Sequence, residues 1–336
     1  MGIAVMAFAS CAKDTVKETN NGRAIDFRVA TQTRATEVTT ANLETFYVTA
    51  IDKNASNYFT DVAFTKIDSY FHSSPAYYWP GDGSSLNFYA YAPSATDLGV
   101  TAVITGTSQK LTGFSPKTEI KDQIDLVTTT ASGNKTNEAT GVAMTFDHQL
   151  AQIEVKAKNA NEGYVYTVYG VKLSNIVAKG DYDFADPTSP WELDESVTAE
   201  YKVEYTSAGR LLDEHATNLM ETEGENAMLL PQQLTAWVPG NANTNGNYIS
   251  VLAYVETADG AKVFPTTADE YGWLSVPVGT EWKAGYKYVY TLDFSNGAGF
   301  PEPGPEPDPD PDPIFGDPIK FSMEVTGWEK TSVVTE

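Results

Sequence analysis

Short runs in which apolar and polar residues alternate recur along this chain, and the runs at its two ends share one spacing. Near the start, Ile25, Phe27 and Val29 alternate with Asp26 and Arg28. Near the end, Ile319, Phe321, Met323 and Val325 alternate with Lys320, Ser322 and Glu324. A period of two predicts a half-buried strand with one apolar face. A slip of one residue would turn the polar face inward, so two segments with the same spacing of apolar groups can fill the same groove. The second run hangs from PEPGPEPDPDPDP. That stretch predicts an extended, polyproline-like tether, too rich in proline to enter a sheet. At ~3.1 Å per residue it would reach about 40 Å. A strand on a tether is what a chain needs to donate it to a neighbour, and the pattern predicts a subunit that polymerises by strand exchange.

Between these ends the pattern predicts an all-β chain. Strands are expected over residues 24–30, 43–51, 58–64, 86–91, 100–104 and 124–129, with Gly81-Asp82-Gly83 and Ser132-Gly133-Asn134 as turns. A second block follows with strands at 153–157, 164–168, 171–176, 200–205, 227–230, 248–255 and 286–294. The last of these carries Tyr286, Tyr288 and Tyr290 on one face. Many short strands separated by turn signals argue for β-sandwiches and against βαβ units. Only residues 110–114 and 211–219 could hold short helical turns. The expected organisation is a leader over 1–22, an N-terminal sandwich over 23–141, a C-terminal sandwich over 142–298, the tether over 299–318 and the terminal strand segment over 319–336.

With 336 residues the chain is long for one average domain and suits two. Its formal net charge of -23 repels nucleic acid and gives no reason to bind an anionic membrane surface. Part of that charge lies in the tether. The single cysteine, Cys11, rules out an intramolecular disulfide framework. It follows IAVMAFAS, a short apolar run ending in small residues, and precedes Lys13, Asp14, Lys17 and Glu18. That arrangement resembles the end of a bacterial lipoprotein signal peptide, with Phe8 where Leu is usual and without a charged leading region. Cys11 is therefore the expected lipidation site, and the implied topology is one acyl-anchored end at the outer membrane with the rest outside.

Catalytic chemistry has little support. His72, His148 and His215 are far apart, and no cysteine or second histidine stands at metal-ligand spacing beside any of them. His148 reads as a hydrogen-bonding residue at a strand edge. Asp181, Asp183 and Asp186 look loosely like a calcium loop but lack the distal glutamate at fixed spacing, so they read as a solvated turn. No catalytic residue, metal site or cofactor is expected. The many aromatics could form a sugar-stacking platform, but Trp79, Tyr89, Trp282 and Tyr288 fall within strands or at their edges, where they fill cores. Tyr77 and Tyr78, beside Pro80, are the expected exposed pair.

Several stretches carry a resemblance. They are Tyr77-Tyr78-Trp79-Pro80 with Leu86-Asn87-Phe88-Tyr89-Ala90-Tyr91-Ala92-Pro93, then Phe146-Asp147-His148-Gln149-Leu150-Ala151-Gln152-Ile153, then Leu229-Leu230-Pro231-Gln232, then Trp282-Lys283-Ala284-Gly285-Tyr286-Lys287-Tyr288, and the strand from Ile319 to Trp328. In this order they resemble the fimbrillin or Mfa-like proteins of Bacteroides and relatives, which build type V pili. The resemblance implies two transthyretin-like β-sandwiches, export as a surface lipoprotein, and assembly with other pilin subunits into an extracellular fimbria that supports adhesion to a host or bacterial surface receptor. It further implies that an Arg-directed protease removes the first strand, with Ile25, Phe27 and Val29, and that the C-terminal strand of the next subunit fills the gap. Arg34-Ala35, in a Thr-rich link just beyond that strand, is the best-placed cleavage point, with Arg23 and Arg28 also nearby. Ile319, Phe321, Met323 and Val325 are then the donor residues. The alternative is a surface glycan-binding β-sandwich lipoprotein that keeps its last strand in its own fold and binds sugar through exposed aromatics.

Overall fold

The computed structural model describes residues 23–29, 43–205, 208–220, 226–267 and 269–328. Cys11, Arg34 and Ala35 lie outside these residues. Strands make up most of the regular structure of the described residues, beside one short α-helix at Ala95–Leu98 and two 3-10 turns at Ile120–Asp122 and Lys135–Glu138. Ser94 caps that helix, its hydroxyl accepting the Asp97 N–H, and Gly99 ends it at φ +69°. The two stretches expected to hold helical turns do not: Gln109–Phe114 is a strand, and Arg210–Leu211 and Thr217–Asn218 are short strands. Their partners across the sheet supply the ladder that decided this, which local pattern does not carry.

One eight-stranded sheet gathers the N-terminal strands. In spatial order it runs Asp147–His148, Val127–Gly133, Leu86–Ala92, Thr45–Ile51, Asn57–Ile67, Tyr70–Ser73, Phe27–Val29 and Val142–Met144. Its two outer strands are separated in sequence only by Thr145 and Phe146. Three residue steps span at most about 10 Å, so the sheet rolls until its edges approach, around a core rich in phenylalanine. Val142–Met144 and Asp147–His148 pair inside this sheet, so the passage to the next sheets comes after His148 and not at residue 142.

Two further sheets face each other in the C-terminal part. One is built on Thr198–Glu204, Tyr164–Val177, Tyr248–Thr257 and Gly272–Pro277. Tyr164–Val177 is a single long strand, irregular between Val168 and Gly170, where the alternation had suggested two. The other is built on Ala151–Lys158, Tyr286–Asp293 and Lys320–Gly327. Ile153, Val155, Tyr288, Tyr290 and Leu292 from one face Val168, Val171, Val251 and Leu274 from the other, all buried in one core.

A four-stranded sheet joins the halves. It runs Trp191–Leu193, Gly180–Asp183, Gln109–Phe114 and Thr101–Ile104, with Gly180 opposite Phe114 and Tyr182 opposite Leu111. Beneath it, Tyr91, Leu111 and Leu126 from the first half pack with Leu150, Tyr182, Leu230 and Trp328 from the second. Burial pushes the Tyr182 hydroxyl up to about 12, against the lowering effect of its 2.8 Å hydrogen bond with Thr128.

Candidate functional site: the first and last strands

The first strand is held on both sides. It pairs antiparallel with Tyr70–Ser73, Phe27 opposite Phe71. On its other side it pairs parallel with Val142–Met144, placing Phe27, Arg28 and Val29 beside Val142, Ala143 and Met144. The Ile25 N–H donates to the Tyr77 carbonyl at 2.7 Å, and the Asp26 carbonyl accepts the Val142 N–H at 2.9 Å. Ile25 and Phe27 are completely buried. The Phe27 ring meets Phe64, Phe88 and Phe46 edge-on, at centroid distances of 4.6, 5.1 and 5.8 Å. On the opposite face the Asp26 carboxylate lies 2.7 Å from His72 Nδ1, and Arg28 is exposed. Each large side chain so buried is worth ~1.5–3 kcal/mol. Without this strand the sheet would present a groove floored by Phe46, Phe64, Phe71 and Phe88.

Among the described residues, the last strand is held on one side only. Lys320–Gly327 lies at the edge of its sheet, antiparallel to Tyr286–Asp293, with Phe321 opposite Leu292, Met323 opposite Tyr290 and Val325 opposite Tyr288. Directly opposed residues share a face, so Phe321, Met323 and Val325 continue the core-facing row. Their inner neighbours are at most 3% exposed, yet they themselves are 38%, 37% and 44% exposed. The opposing sheet does not reach far enough to cover them. The strand is fastened at its ends. Ile319 is buried in the C-terminal core. Trp328 donates its backbone N–H to the Gly285 carbonyl at 2.7 Å and stacks on the His148 ring at 4.1 Å. His148 Nδ1 in turn lies 2.7 Å from the buried Asp125 carboxylate. The Trp328 indole N–H is buried with no hydrogen-bond partner among the described residues.

The tether does not run extended across the molecule; it doubles back. Ala298 and Gly299 bond to Phe315 and Ile314, and Gly297 bridges Gly316. A Cβ on either glycine would collide with the backbone of the other arm. Phe300–Pro301 pairs with Gly272–Pro277, contrary to the expectation that this stretch stays out of sheets. Pro is tolerated there because an edge position needs no outward N–H. The Glu302 carboxylate pairs with the Lys172 ammonium, Gly304 and Asp308 bond to Asn243 and Gly240, and Phe315 stacks on Tyr164 at 4.4 Å. A segment that would span about 40 Å if fully extended is therefore folded back on a closed loop base.

The remaining sequence candidates are scattered. His72, His148 and His215 each face a different carboxylate. Asp181 accepts the Gly113 N–H, Asp183 the Ala185 N–H, and Asp186 the Thr188 and Ser189 N–H groups. Among the described residues no group of three or more His, Cys, Asp or Glu is placed to hold a metal ion. Tyr78 is exposed, whereas Tyr77 is half-buried against Phe59. A cleft of about 1630 Å³ opens beside the end of the last strand, lined in part by His148, Trp191, Trp282, Tyr286 and Trp328. Its tryptophans are engaged elsewhere: Trp282 donates to the Tyr290 hydroxyl, Trp191 donates to the Gln149 carbonyl and packs on Tyr182, and Trp328 lies on His148. Sequence reading did not find the joining sheet or the Trp328–His148–Asp125 stack, although both Trp328 and His148 sit in the stretches that carried the resemblance.

Fold and site together define an all-β sandwich protein with a deeply inserted leading strand and a peripheral trailing strand. The chain belongs to the fimbrillin-like family, whose model matches residues 33–328. It is 25% identical to the fimbrium subunit Fim1C of Phocaeicola vulgatus over 87% of this chain and 90% of that protein. Among solved structures it is similar to a fimbrial protein from Bacteroides vulgatus ATCC 8482, with a TM-score of 0.64 and 19% identity over 91% of this chain and all of that one.

Proposed function

We propose that this chain is a structural subunit of a cell-surface fimbria, of the type V pilus class, that assembles by β-strand donation and supports adhesion. The observation that carries the reading is the contrast between two strands of like pattern. One is inserted in a hydrophobic core at the start of the chain; the other lies on a sheet edge with its apolar row uncovered. Excising the first opens a groove. The second, released with its tether, supplies the ladder hydrogen bonds and the side chains to refill the groove of a neighbouring subunit. Ile319, Phe321, Met323 and Val325 are the donor residues. Cleavage after Arg34, so that the mature chain begins at Ala35, removes Ile25, Phe27 and Val29. The precursor is acylated at Cys11 and held at the outer membrane before maturation. The chain divides functionally into a groove-bearing N-terminal sandwich and a donor-bearing C-terminal one.

Phe321→Asp and Lys320→Asp test donation. The first places a charge where an apolar seat is required, at a cost of several kcal/mol if unpaired; the second lies on the opposite face. Fimbriae are expected to be absent with Phe321→Asp, the subunit remaining folded, and intact with Lys320→Asp. N-terminal sequencing of assembled fimbriae is expected to begin at Ala35. Normal filaments from the Phe321 variant would rule out this strand as donor, and filaments whose chains begin near Cys11 would rule out strand removal. The glycan-binding alternative gains nothing from the cleft, because its tryptophans are committed to packing and internal hydrogen bonds.

A further inference from the structure

Strand donation alone leaves open which donor residue occupies which seat. We infer that Phe321 of one copy takes the seat of Phe27 in the next, with Ile319 in place of Ile25 and Met323 in place of Val29. This rests on the donation reading above and adds its register.

The seats decide among the possible slips. A shift by one residue would turn Lys320 and Ser322 inward, into positions where Ile25 and Phe27 are completely buried. A shift by two in one direction would bring Asp317 into the Ile25 seat and Pro318 to the place of Asp26. That buries an unpaired carboxylate. A shift by two in the other direction puts Phe321 in the Ile25 seat and Met323 in the Phe27 seat. This crowds a ring into a site filled by an aliphatic side chain, and leaves the edge-on contacts to Phe46, Phe64 and Phe88 without their central ring. Only the register that matches isoleucine to isoleucine and phenylalanine to phenylalanine conserves volume and shape at both buried seats. It also keeps the backbone bonds. The Ile319 N–H replaces that of Ile25 toward the Tyr77 carbonyl, and the Lys320 carbonyl replaces that of Asp26 toward the Val142 N–H.

The same register has a polar consequence. Lys320 now stands where Asp26 faces His72, and Ser322 replaces the exposed Arg28 beside Ala143. The first substitution is a poor exchange, a cation for a carboxylate beside an imidazole. Lys320→Asp restores the original pairing, so it is expected to be tolerated in assembly for a reason beyond its outward position.

Paired cysteines read the register in fimbriae assembled by the full chain on cells. Ala143 and Ser322 are exposed, and they lie in different sheets of one subunit, so neither change disturbs a core. Laterally paired strands bring Cα atoms within the range a disulfide spans. Ala143→Cys with Ser322→Cys is expected to give a ladder of covalent oligomers on non-reducing gels, collapsed by reductant and absent from either single variant. A ladder from Ala143→Cys with Glu324→Cys or Lys320→Cys instead would overturn the register while leaving donation standing. Fimbriae that form with none of these pairs cross-linked would overturn insertion beside Ala143 altogether. Failure of the Ser322→Cys single variant to assemble would also count against the register, which leaves that side chain in solvent.

Discussion

The first and last strands carry nearly the same five-residue pattern and live in opposite environments. Phe27 is completely buried among three other rings, while Phe321, with the same alternation around it, is 38% exposed. Among the described residues, the first strand is flanked on both edges and the last has one neighbour. Equal hydrophobicity thus does not mean equal attachment. What holds a strand is the number of ladders it joins and whether a second layer covers its apolar face. The last strand has a full backbone ladder but little cover, so it is held mainly by hydrogen bonds, each worth only about 0.5–1.5 kcal/mol net. It is also held by its ends, Ile319 and Trp328. Its release withdraws Ile319 and Trp328 from buried positions, but the row between them is already exposed, whereas loss of the first strand empties the fully buried seats of Ile25 and Phe27.

Truncating both phenylalanines is the sharpest way to break this comparison. Phe27→Ala is expected to cost about 3–5 kcal/mol of subunit stability in denaturant titration, as for other fully buried rings. Phe321→Ala is expected to cost about 1 kcal/mol, because its ring is only partly removed from water. Similar losses at the two positions would mean that the last strand is buried in solution.

The closed tether provides the next effect. Phe315→Ala removes the stack on Tyr164 at the loop base and is expected to cost about 1–2 kcal/mol. Its readout is local: amide exchange across Lys320–Gly327 should accelerate while exchange in the N-terminal sheet stays unchanged. Uniform acceleration everywhere would show that the loop base stabilises the whole chain and does not gate the last strand.

The smallest effect concerns acid. Glu154 lies on the strand beside Tyr286–Asp293, which carries the last strand. Burial alone would raise its carboxyl above 4.5, but hydrogen bonds and attraction from Lys287 and Lys156 outweigh that and hold it below. A carboxylate with a lowered folded value contributes stability above its unfolded value and loses it as pH falls through the folded one. The C-terminal sandwich should therefore weaken as pH drops below about 4.5, and Glu154→Gln should flatten that limb of a stability-versus-pH profile. An unchanged profile would assign the acid loss to other carboxylates.

Much of this arrangement was readable in advance. Alternation marked the strands of seven residues or more to within a few residues, since a strand with one covered face must alternate whatever it pairs with, and it missed shorter ones such as Tyr70–Ser73 and Gly272–Pro277. It failed at 110–114 and 211–219, where too few apolar positions recur to set a period, and at Tyr164–Val177, where an irregularity near Gly170 breaks the count. The tether was misjudged for a different reason. Proline content sets local stiffness, but the loop closes through Gly297, Gly316 and Phe315, residues at its ends and outside its repeats. The sheet joining residues 101–114 to 180–193 was invisible because pairing between distant segments leaves no trace in either one alone.

By itself the sequence determined that the chain is all-β, that its ends carry strands of like pattern, and that a proline-rich segment precedes the last one. These are consequences of side-chain periodicity and backbone chemistry, which act over a few residues. Only the tertiary structure decided that the first of those strands is enclosed and the second exposed. Burial depends on whether another layer stands opposite, and that layer comes from residues far away in the chain: Phe46, Phe64 and Phe88 around Phe27, and, among the described residues, no matching cover over Phe321, Met323 and Val325.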